Sequence, residues 1–253
     1  MRTNDILVAA FPKSGITYFG FLLTAARLHH NGMSLRPTMY NIDFLLIDTH
    51  KMTGQTPASI WRDGIGDLYK THDRFVKVPN VVYVLRDPVD TLRSYFHFRR
   101  QLGTRESVAE FLGGPQGIDG WIGHVRSWLI DNRAAEQSVF VTLYESLIAR
   151  PREELRALGG QLGLDFTPEA LDHALGAASL ERMRASEAAF VARNPVNAQF
   201  ALEFVRPSEQ RVVEGFTPQL VDSIEARARP IYEQVRSRLV PAPRSSMPPG
   251  VPG

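Results

Sequence analysis

Four short runs of apolar and β-branched residues stand out along the chain, and none of them alternates cleanly between apolar and polar positions. They run from Asp5 to Ala10, Asp67 to Thr71, Asn80 to Arg86 and Ser138 to Tyr144. Runs of this kind are typical of strands that are buried on both faces, as the strands of a parallel sheet are. The pattern therefore predicts four buried strands.

Segments with the helical spacing of apolar residues lie between and after these strands. They cover residues 17–30, 88–102, 118–135, 144–162, 168–175 and 218–239. Strands that alternate with helices predict a parallel sheet with right-handed crossover connections. We therefore expect a single α/β domain in which helices flank a central parallel sheet.

Two segments follow neither pattern. Residues 32–66 form a long excursion from the sheet, and excursions of this length in a compact domain are often lids or substrate walls. Residues 240–253 are rich in Pro, Gly and Ser and contain too little apolar surface to bury. We therefore assign residues 1–239 to the domain and predict a Pro-rich flexible tail over residues 240–253.

The composition of the chain excludes several classes of binding partner and of chemistry. The 253-residue chain has a formal net charge of only +2, which is too small for the broad basic surface that nucleic-acid binding needs. It contains no cysteine, which excludes disulfides, thiolate metal sites and a cysteine nucleophile. The sequence has neither a signal-peptide pattern nor an apolar run of about 20 residues, so we expect a cytoplasmic protein without a membrane span.

The loop after the first run, PKSGIT from Pro12 to Thr17, combines residue types that suit an anion. Lys13 supplies a cation, Gly15 permits a close approach of the backbone, and Ser14 and Thr17 supply hydroxyl donors where a helix begins. The loop lacks the Walker order G-x-x-x-x-G-K-[ST], because no glycine precedes its lysine. It is equally compatible with a plain strand-to-helix turn in which Ser14 or Thr17 caps the helix.

A second segment, YVLRDPVDTLRSY over residues 83–95, repeats this arrangement at the end of another buried strand. Arg86 ends the strand, a helix begins with Asp-Pro, and Ser94 follows about two turns later. The planar guanidinium of Arg86 suits a phosphate, and the Ser94 hydroxyl can add a donor. Arg86 could instead form a bridge to Asp87 or Asp90. Two strand ends adapted to anions indicate a ligand with two separated anionic groups.

Taken together, PKSGITY and YVLRDPVDTLRSY resemble the two cofactor motifs of the sulfotransferase family that uses 3′-phosphoadenosine 5′-phosphosulfate (PAPS). The resemblance covers the chain from Leu7 to about Thr217. It implies a P-loop-like α/β fold, with PAPS as the donor and 3′-phosphoadenosine 5′-phosphate (PAP) as the product. It also implies transfer of a sulfuryl group to a hydroxyl of a small or medium-sized metabolite.

The resemblance also implies roles for individual residues. Lys13 would contact the bridging and sulfuryl oxygens, the loop from Ser14 to Thr17 would cradle the 5′-phosphate, and Arg86 with Ser94 would bind the 3′-phosphate. The complete set of implied cofactor-binding residues is Lys13, Ser14, Gly15, Ile16, Thr17, Tyr18, Arg86, Ser94, Tyr144, Leu180 and Arg206.

Three members of this set stand where the family contacts adenine. Tyr18 replaces the usual stacking tryptophan, and Tyr144 in VFVTLYESL falls on the residue that reaches adenine. Leu180 in ASLERMRA stands where an adenine-stacking phenylalanine is usual. Adenine contacts are therefore implied at three separate segments of the chain.

The segment LYKTHD resembles the Lys-x-His strand end of the same family. His72 thereby falls on the general base and Lys70 on an accompanying lysine near the sulfuryl group. An imidazole with an ordinary pKa suits removal of the hydroxyl proton near neutral pH. A hydrogen-bonded structural histidine at a strand end is the alternative for His72. His50, in the excursion, is a second candidate that could line the acceptor pocket.

The chain departs from the family after Arg206. Cytosolic members carry Arg-Lys-Gly-x-x-Gly there, whereas this chain has Pro207 and Ser208 in place of the lysine and the first glycine. Some members also have a dimer contact after this segment, so the resemblance leaves a homodimer open. The altered segment favours one rival hypothesis, a non-catalytic nucleotide-binding module of the same fold. The residues retained from the family motifs oppose it, namely Lys13, Ser14, Arg86, Ser94 and His72.

A second rival is a P-loop phosphotransferase, which would require magnesium and a nucleoside triphosphate. The missing Walker order argues against it. The acidic residues and histidines show no metal-ligand spacing, so we expect no metal cofactor. Alcohol, phenol and sugar acceptors all remain open.

We expect the selectivity for the acceptor to come from apolar and aromatic walls of the pocket. The candidate wall residues are Phe11, Phe19, Phe44, Leu45, Trp61, Phe75, Phe96 and Phe98.

Overall fold

The computed structural model describes residues 1–51, 58–132, 137–193 and 214–239. Its centre is a five-stranded sheet in the order β2-β3-β1-β4-β5, in which every neighbouring pair of strands is parallel. The strands are β1 (Ile6–Ala9), β2 (Ile47–Asp48), β3 (Leu68–Thr71), β4 (Asn80–Leu85) and β5 (Ser138–Leu143). The predicted parallel sheet is therefore confirmed.

Helices cover both faces of this sheet. In chain order they are α1 (Ile16–His30), α2 (Ile42–Leu45), α3 (Pro88–Gln101), α4 (Val108–Gly113), α5 (Ile118–Arg126), α6 (Tyr144–Ala149), α7 (Pro151–Leu162), α8 (Pro168–Ala177), α9 (Leu180–Arg193) and α10 (Pro218–Leu239). Helices α1, α7 and α8 pack on one face, and α3, α4, α5 and α10 pack on the other. Within the described segments, no helix has the length and apolarity that crossing a bilayer requires.

The central strand β1 explains why the apolar runs do not alternate. Ile6 and Val8 belong to the hydrophobic cluster on one face, whereas Leu7 and Ala9 belong to the cluster on the opposite face. All four are at most 1% exposed. Because both faces are covered by helices, every position of the strand must be apolar.

Several predicted elements need correction. The excursion 32–66 contains helix α2, strand β2 and a 3-10 turn at Thr49–Lys51, which were too short to show a period. The predicted helix over 144–162 is two helices, because Pro151 begins α7 directly after Arg150. The predicted helix over 118–135 leaves α-geometry at Arg126 and continues as a π-helical turn, Ser127–Asp131. Residues 133–136 and the predicted tail at 240–253 lie outside the described residues.

A buried ion pair ties the end of the excursion to α1. The Arg27 side chain is fully buried and donates from Nε and Nη2 to the Asp63 carboxylate at 2.8 and 2.7 Å. It also donates to the Gly66 carbonyl and lies 4.0 Å from the centre of the Trp61 ring. Burial raises the pKa of Asp63, but the hydrogen bonds and charge of Arg27, together with hydrogen bonds from Asn31 and Ile65, hold that pKa below its ordinary value. The start of β3 is thereby fixed against the first helix.

Candidate active site

The carboxyl ends of four strands open into one cavity of about 900 Å³. Lys13 follows β1, His72 follows β3, Arg86 follows β4 and Tyr144 follows β5, and all four side chains line this cavity. Parallel strands present their carboxyl ends at one edge of the sheet, where loops and helix N-termini can meet a ligand. The topology thus brings together residues that are far apart in the sequence.

The loop after β1 contains two residues with positive φ angles, a backbone conformation that few residue types adopt readily. Gly15 has a φ of 97°, and Lys13 has a φ of 67°, which is uncommon for a residue with a side chain. A Cβ atom on Gly15 would lie 2.2 Å from Cδ2 of Tyr144. Glycine is therefore required at position 15 both by the dihedral angle and by the ring packed over it.

The first turn of α1 is suited to an anion. This 15-residue helix begins at Ile16 without a side-chain cap and has no acidic residue in its first turn. Its first N–H groups have no partner within the helix, and the helix dipole favours negative charge at that end. Ile16, Thr17 and Tyr18, which form the turn, line the cavity. The helix start therefore has the geometry that suits an anion, and neither Ser14 nor Thr17 caps it through a side-chain hydrogen bond.

Arg86 connects the ends of three strands. Its Nη1 donates to the carbonyl of Lys13 at 2.9 Å, and its guanidinium lies 4.6 Å from the centre of the Tyr144 ring. The Lys13 ammonium lies 4.6 Å from the centre of the Phe98 ring on α3. These contacts orient two cations toward the same cavity, and Arg93 and Ser94 of α3 add polar groups to its wall.

Aromatic and apolar side chains line another part of the cavity. The rings of Tyr18 and Tyr144 meet edge to face, with centres 6.4 Å apart. Burial raises the pKa of the Tyr18 hydroxyl, and the neighbouring Tyr144 adds to that shift. Leu180 lies at the start of α9, lines the cavity with Met183 and is 46% exposed. This region offers neutral, flat and apolar surface.

Two carboxylates, Glu145 and Asp87, connect the residues that follow β5 and β4 to the C-terminal helix α10. Glu145, next to Tyr144, accepts from the backbone N–H of Asp87 at 3.0 Å and from the Tyr232 hydroxyl at 3.3 Å. Asp87 caps α3 through Asp90 N–H and forms an ion pair of 2.7 Å with Arg229. Burial, followed by the Glu145 charge, raises the pKa of Tyr232, so its hydroxyl keeps its proton. Helix α10 thereby holds the residues that follow β4 and β5.

His72 is held by one ring nitrogen. Its Nδ1 lies 2.7 Å from the carbonyl oxygen of Ala10, which can only accept, so Nδ1 carries the proton and Nε2 is the basic nitrogen. Burial lowers the pKa of His72, and the nearby Lys70 contributes in the same direction. The imidazole is therefore neutral at neutral pH and able to accept a proton.

The π-helical turn after α5 supports the chain that follows His72. Trp128 Nε1 donates to the carbonyl of Asp73 at 2.9 Å, and the Ser127 hydroxyl accepts from the N–H of Phe75 at 3.2 Å. Turns of this geometry occur frequently at functional sites. The segment that follows β3 is thus fixed by a neighbouring element rather than by its own turn.

Lys70 is surrounded by carboxylates. Its ammonium lies 2.6 Å from Asp43 Oδ1 and 3.5 Å from Asp48 Oδ2. Burial raises the pKa of Asp43, but hydrogen bonds from Lys51 and Lys70 outweigh it and lower that pKa overall. The Lys70 charge is therefore largely balanced by its neighbours.

His50, the second candidate base, also lines the cavity. Its side chain is 53% exposed, and its Nε2 lies 3.5 Å from Asp73 Oδ2.

Most of the predicted site residues meet in this cavity. The predicted residues in its wall are Lys13, Gly15, Ile16, Thr17, Tyr18, Lys70, His72, Arg86, Ser94, Tyr144 and Leu180. The Ser14 side chain is buried and is not part of the wall, although its backbone belongs to the loop. Arg206 lies outside the described residues. Sequence reasoning missed Arg93, whose place on the helix after Arg86 was the available signal.

The predicted aromatic wall is wrong in most of its members. Of the eight candidates, only Phe98 lines the cavity. Phe11, Phe19, Leu45, Phe96 and Trp61 are buried in the core, and Phe75 packs against Trp128. Phe44 is 46% exposed but lies outside the cavity wall. An apolar residue in the sequence does not indicate whether it faces the core or a pocket.

No group of three or more acidic, histidine or cysteine side chains that could hold a metal ion occurs in the part of the chain that the structure describes.

Comparison with curated proteins identifies distant relatives. A span of 201 residues is 24% identical to amine sulfotransferase from Oryctolagus cuniculus, covering 73% of this chain and 64% of that protein. Sulfotransferase 1A1 from Bos taurus is also 24% identical over 201 residues, covering 72% of this chain and 66% of the relative. The chain thus spans slightly less than two thirds of the length of these two relatives.

Solved structures share the fold. A mouse sulfotransferase complexed with PAP superposes with a TM-score of 0.58 at 18% identity, covering 94% of this chain and 90% of the other. Retinol dehydratase in a complex with retinol and PAP gives a TM-score of 0.57 at 15% identity, covering 96% and 84%. The expected α/β fold, a central parallel sheet flanked by helices, is confirmed and is the sulfotransferase fold. The family model described as a sulfotransferase domain matches residues 3–234, and the chain therefore belongs to the sulfotransferase family.

Proposed function

We propose that this protein transfers a sulfuryl group from PAPS to a hydroxyl of a small or medium-sized metabolite. One observation carries the proposal: a single cavity contains the uncapped start of α1, the Arg86 guanidinium and the anchored imidazole of His72. The first two suit a ligand with two separated anionic groups, and the third suits proton removal. Two solved structures of the same fold were determined with PAP.

The residues of the cavity fit such a nucleotide. The Tyr144 ring packs over Gly15, and beside it the first turn of α1 and Lys13 line the cavity where the 5′-phosphate side of the nucleotide would bind. Arg86 and Ser94 supply donors for the 3′-phosphate. Tyr18, Tyr144 and Leu180 offer the flat and apolar surface that an adenine ring needs.

When bound, PAPS supplies an electrophilic sulfuryl group and leaves as PAP. The chain contributes position and charge: the Lys13 ammonium offsets the negative charge of the departing oxygen, and the helix start holds the anion in place. His72 Nε2 accepts the proton of the acceptor hydroxyl, while the Ala10 carbonyl keeps Nδ1 protonated and the ring oriented. Lys70 contributes through its ion pairs rather than as an isolated cation.

Membership of the sulfotransferase family does not favour the P-loop phosphotransferase or the non-catalytic module. The two alternatives make distinct predictions. A phosphotransferase would bind magnesium and ATP together in preference to PAP, and a non-catalytic module would bind PAP without turnover of PAPS.

We expect purified protein to bind PAP at least about tenfold more tightly than adenosine 5′-phosphosulfate, because only PAP carries a 3′-phosphate for Arg86. Calorimetric titration with each nucleotide, and with ATP plus magnesium, measures this difference. PAP binding should be unchanged by chelation of divalent cations. A preference for magnesium-ATP would support the phosphotransferase instead.

We expect kcat/KM to remain high down through pH 6.5, the ordinary pKa of histidine. Burial lowers the pKa of His72, so the unprotonated imidazole persists to lower pH, and activity falls only as the pH drops through that lowered pKa. A pH profile of kcat/KM at low acceptor concentration measures the midpoint. An acid limb with a midpoint above pH 6.5 would contradict the assignment of His72 as the base.

A further inference from the structure

The strand order divides the cavity into two halves. β4 and β5, which end in Arg86 and Tyr144, lie on one side of β1, whereas β2 and β3 lie on the other. Under the proposed function the first side holds the nucleotide, so the second side, which carries His72, receives the acceptor. We name the wall contributed by β2, the 3-10 turn and the end of β3 the acceptor wall.

The acceptor wall is made of ionisable side chains. The residues of these elements that line the cavity are Asp48, His50, Lys51, Lys70, His72 and Asp73. No apolar side chain from the described part of these elements lines the cavity. The wall is therefore a polar surface rather than the aromatic one that the sequence predicted.

The charges of the acceptor wall form a connected set. Lys70 pairs with Asp43 and Asp48, and Lys51 pairs with the other oxygen of Asp43. Asp73 accepts from the Thr71 hydroxyl and lies near His50, and its side chain remains 60% exposed. The wall thus offers carboxylate acceptors and ammonium donors that still face solvent.

Helix α3 and the segment between α4 and α5 contribute a mixed surface to the same cavity. Gln116 and His97 line it, and the Phe98 ring lies beneath the Lys13 ammonium. Tyr95 is only 8% exposed, with its ring packed edge-on against Phe11 and Phe111. The aromatic side chains Tyr95 and Phe98, which α3 contributes to the cavity, are thus already packed against other groups.

The hydrogen-bonding requirement of the acceptor wall favours one class of acceptor. An apolar ring pressed against the acceptor wall would remove water from several charged groups without returning hydrogen bonds, which is unfavourable for each polar group left unpaired. Each hydroxyl of a polyol can donate to a carboxylate and accept from an ammonium group. A polyhydroxylated molecule therefore replaces the water that it displaces.

We propose that the acceptor is a cyclic polyol such as a sugar or a cyclitol, with one hydroxyl on His72 Nε2 and its neighbours hydrogen-bonded to the acceptor wall. This inference rests on the proposed function and names its substrate class. Asp73 is the specificity residue, because it is the most exposed carboxylate of the wall and pairs with no lysine in the described structure.

A matched series of acceptors tests the inference. With PAPS as the donor, initial rates are measured for cyclohexanol and myo-inositol, which share a six-membered ring but differ in hydroxyl number, and for phenol and D-glucose. We expect kcat/KM to be at least about 100-fold higher for the two polyols, since a site built to bind hydroxyls rejects analogues that lack them. Higher kcat/KM for cyclohexanol or phenol would overturn the inference, and so would turnover of neither class.

A variant separates this inference from the proposed function. Asp73→Asn should lower kcat/KM for the preferred polyol by about tenfold or more and leave the Kd for PAP unchanged. The control Asp172→Asn changes an exposed carboxylate that pairs with Arg152 outside the cavity and should alter neither quantity. Unaltered polyol kinetics in Asp73→Asn would overturn the role of Asp73. Failure of the unmodified protein to bind PAP would overturn both the proposed function and the inference that rests on it.

Discussion

His72→Ala should lower kcat for sulfuryl transfer by about 100-fold to 10,000-fold, the usual contribution of a positioned general base. The imidazole is anchored through Nδ1 to Ala10 and presents Nε2 as its basic nitrogen, so its removal leaves the acceptor hydroxyl without a proton acceptor. The Kd for PAP should change little, because the residues fitted to the nucleotide follow β1, β4 and β5 rather than β3. Single-turnover assays and calorimetry on the same preparation measure the two quantities.

Two other histidines provide matched comparisons for this experiment. His50→Ala should cost far less in kcat than His72→Ala, because His50 is half-exposed and lies beside Asp73 rather than anchored to the loop after β1. His30→Ala alters an exposed residue at the end of α1 and should have no effect on either quantity. Equal losses of kcat and of PAP affinity in His72→Ala would remove His72 from the base role.

Arg86→Ala should weaken PAP binding by about 10-fold to 150-fold, because charge-assisted hydrogen bonds contribute about 1.5–3 kcal/mol each. The loss should be much smaller for adenosine 5′-phosphosulfate, which has no 3′-phosphate. Arg86→Lys should recover only part of the difference, since lysine keeps the charge but not the planar fork that lies on Tyr144. Calorimetric Kd values for the two nucleotides give the ratio directly.

The ratio of the two Kd values also distinguishes loss of a 3′-phosphate contact from a general disturbance of the loop after β1. Arg86 donates to the Lys13 carbonyl, so its loss could loosen the whole loop after β1. A loosened loop would weaken both nucleotides equally, and that outcome would mean that the 3′-phosphate binds elsewhere. Arg126→Ala, at an exposed pair outside the cavity, is the matched control for removing a guanidinium.

The sequence predicted the central sheet well because burial on both faces leaves a local signature. Each of the four predicted strands is present, and β1, β3, β4 and β5 each begin and end within one residue of the predicted limits. The residues that follow β1 and β4 were identified because a charged side chain or glycine stands out directly after an apolar run. His72, which follows β3, was identified through the resemblance of LYKTHD to the Lys-x-His segment of the family. Helix α10 was predicted with both of its ends, because its apolar positions repeat over 22 residues.

The elements that the pattern missed include very short ones and ones whose stability comes from partners distant in the sequence. Strand β2 has two residues and exists because Ile47 and Asp48 pair with Tyr69 and Lys70 of β3. Helix α4 has six residues, too few for a period, although its capping box at Ser107 and Glu110 was a readable signal. The segment before β3 is held by Arg27, which a local pattern cannot indicate.

The sequence by itself determined the fold class and the chemistry that is available, because strand burial, helix starts and the residues between them are local properties. Only the tertiary structure decided that Lys70 is balanced by Asp43 and Asp48, that the Tyr144 ring excludes a side chain at position 15, and that the acceptor wall is polar. Charge balance, steric exclusion and the orientation of a side chain toward core or cavity depend on which segments meet in space. The order of strands in the sheet determines which segments come into contact, and local patterns do not specify that order.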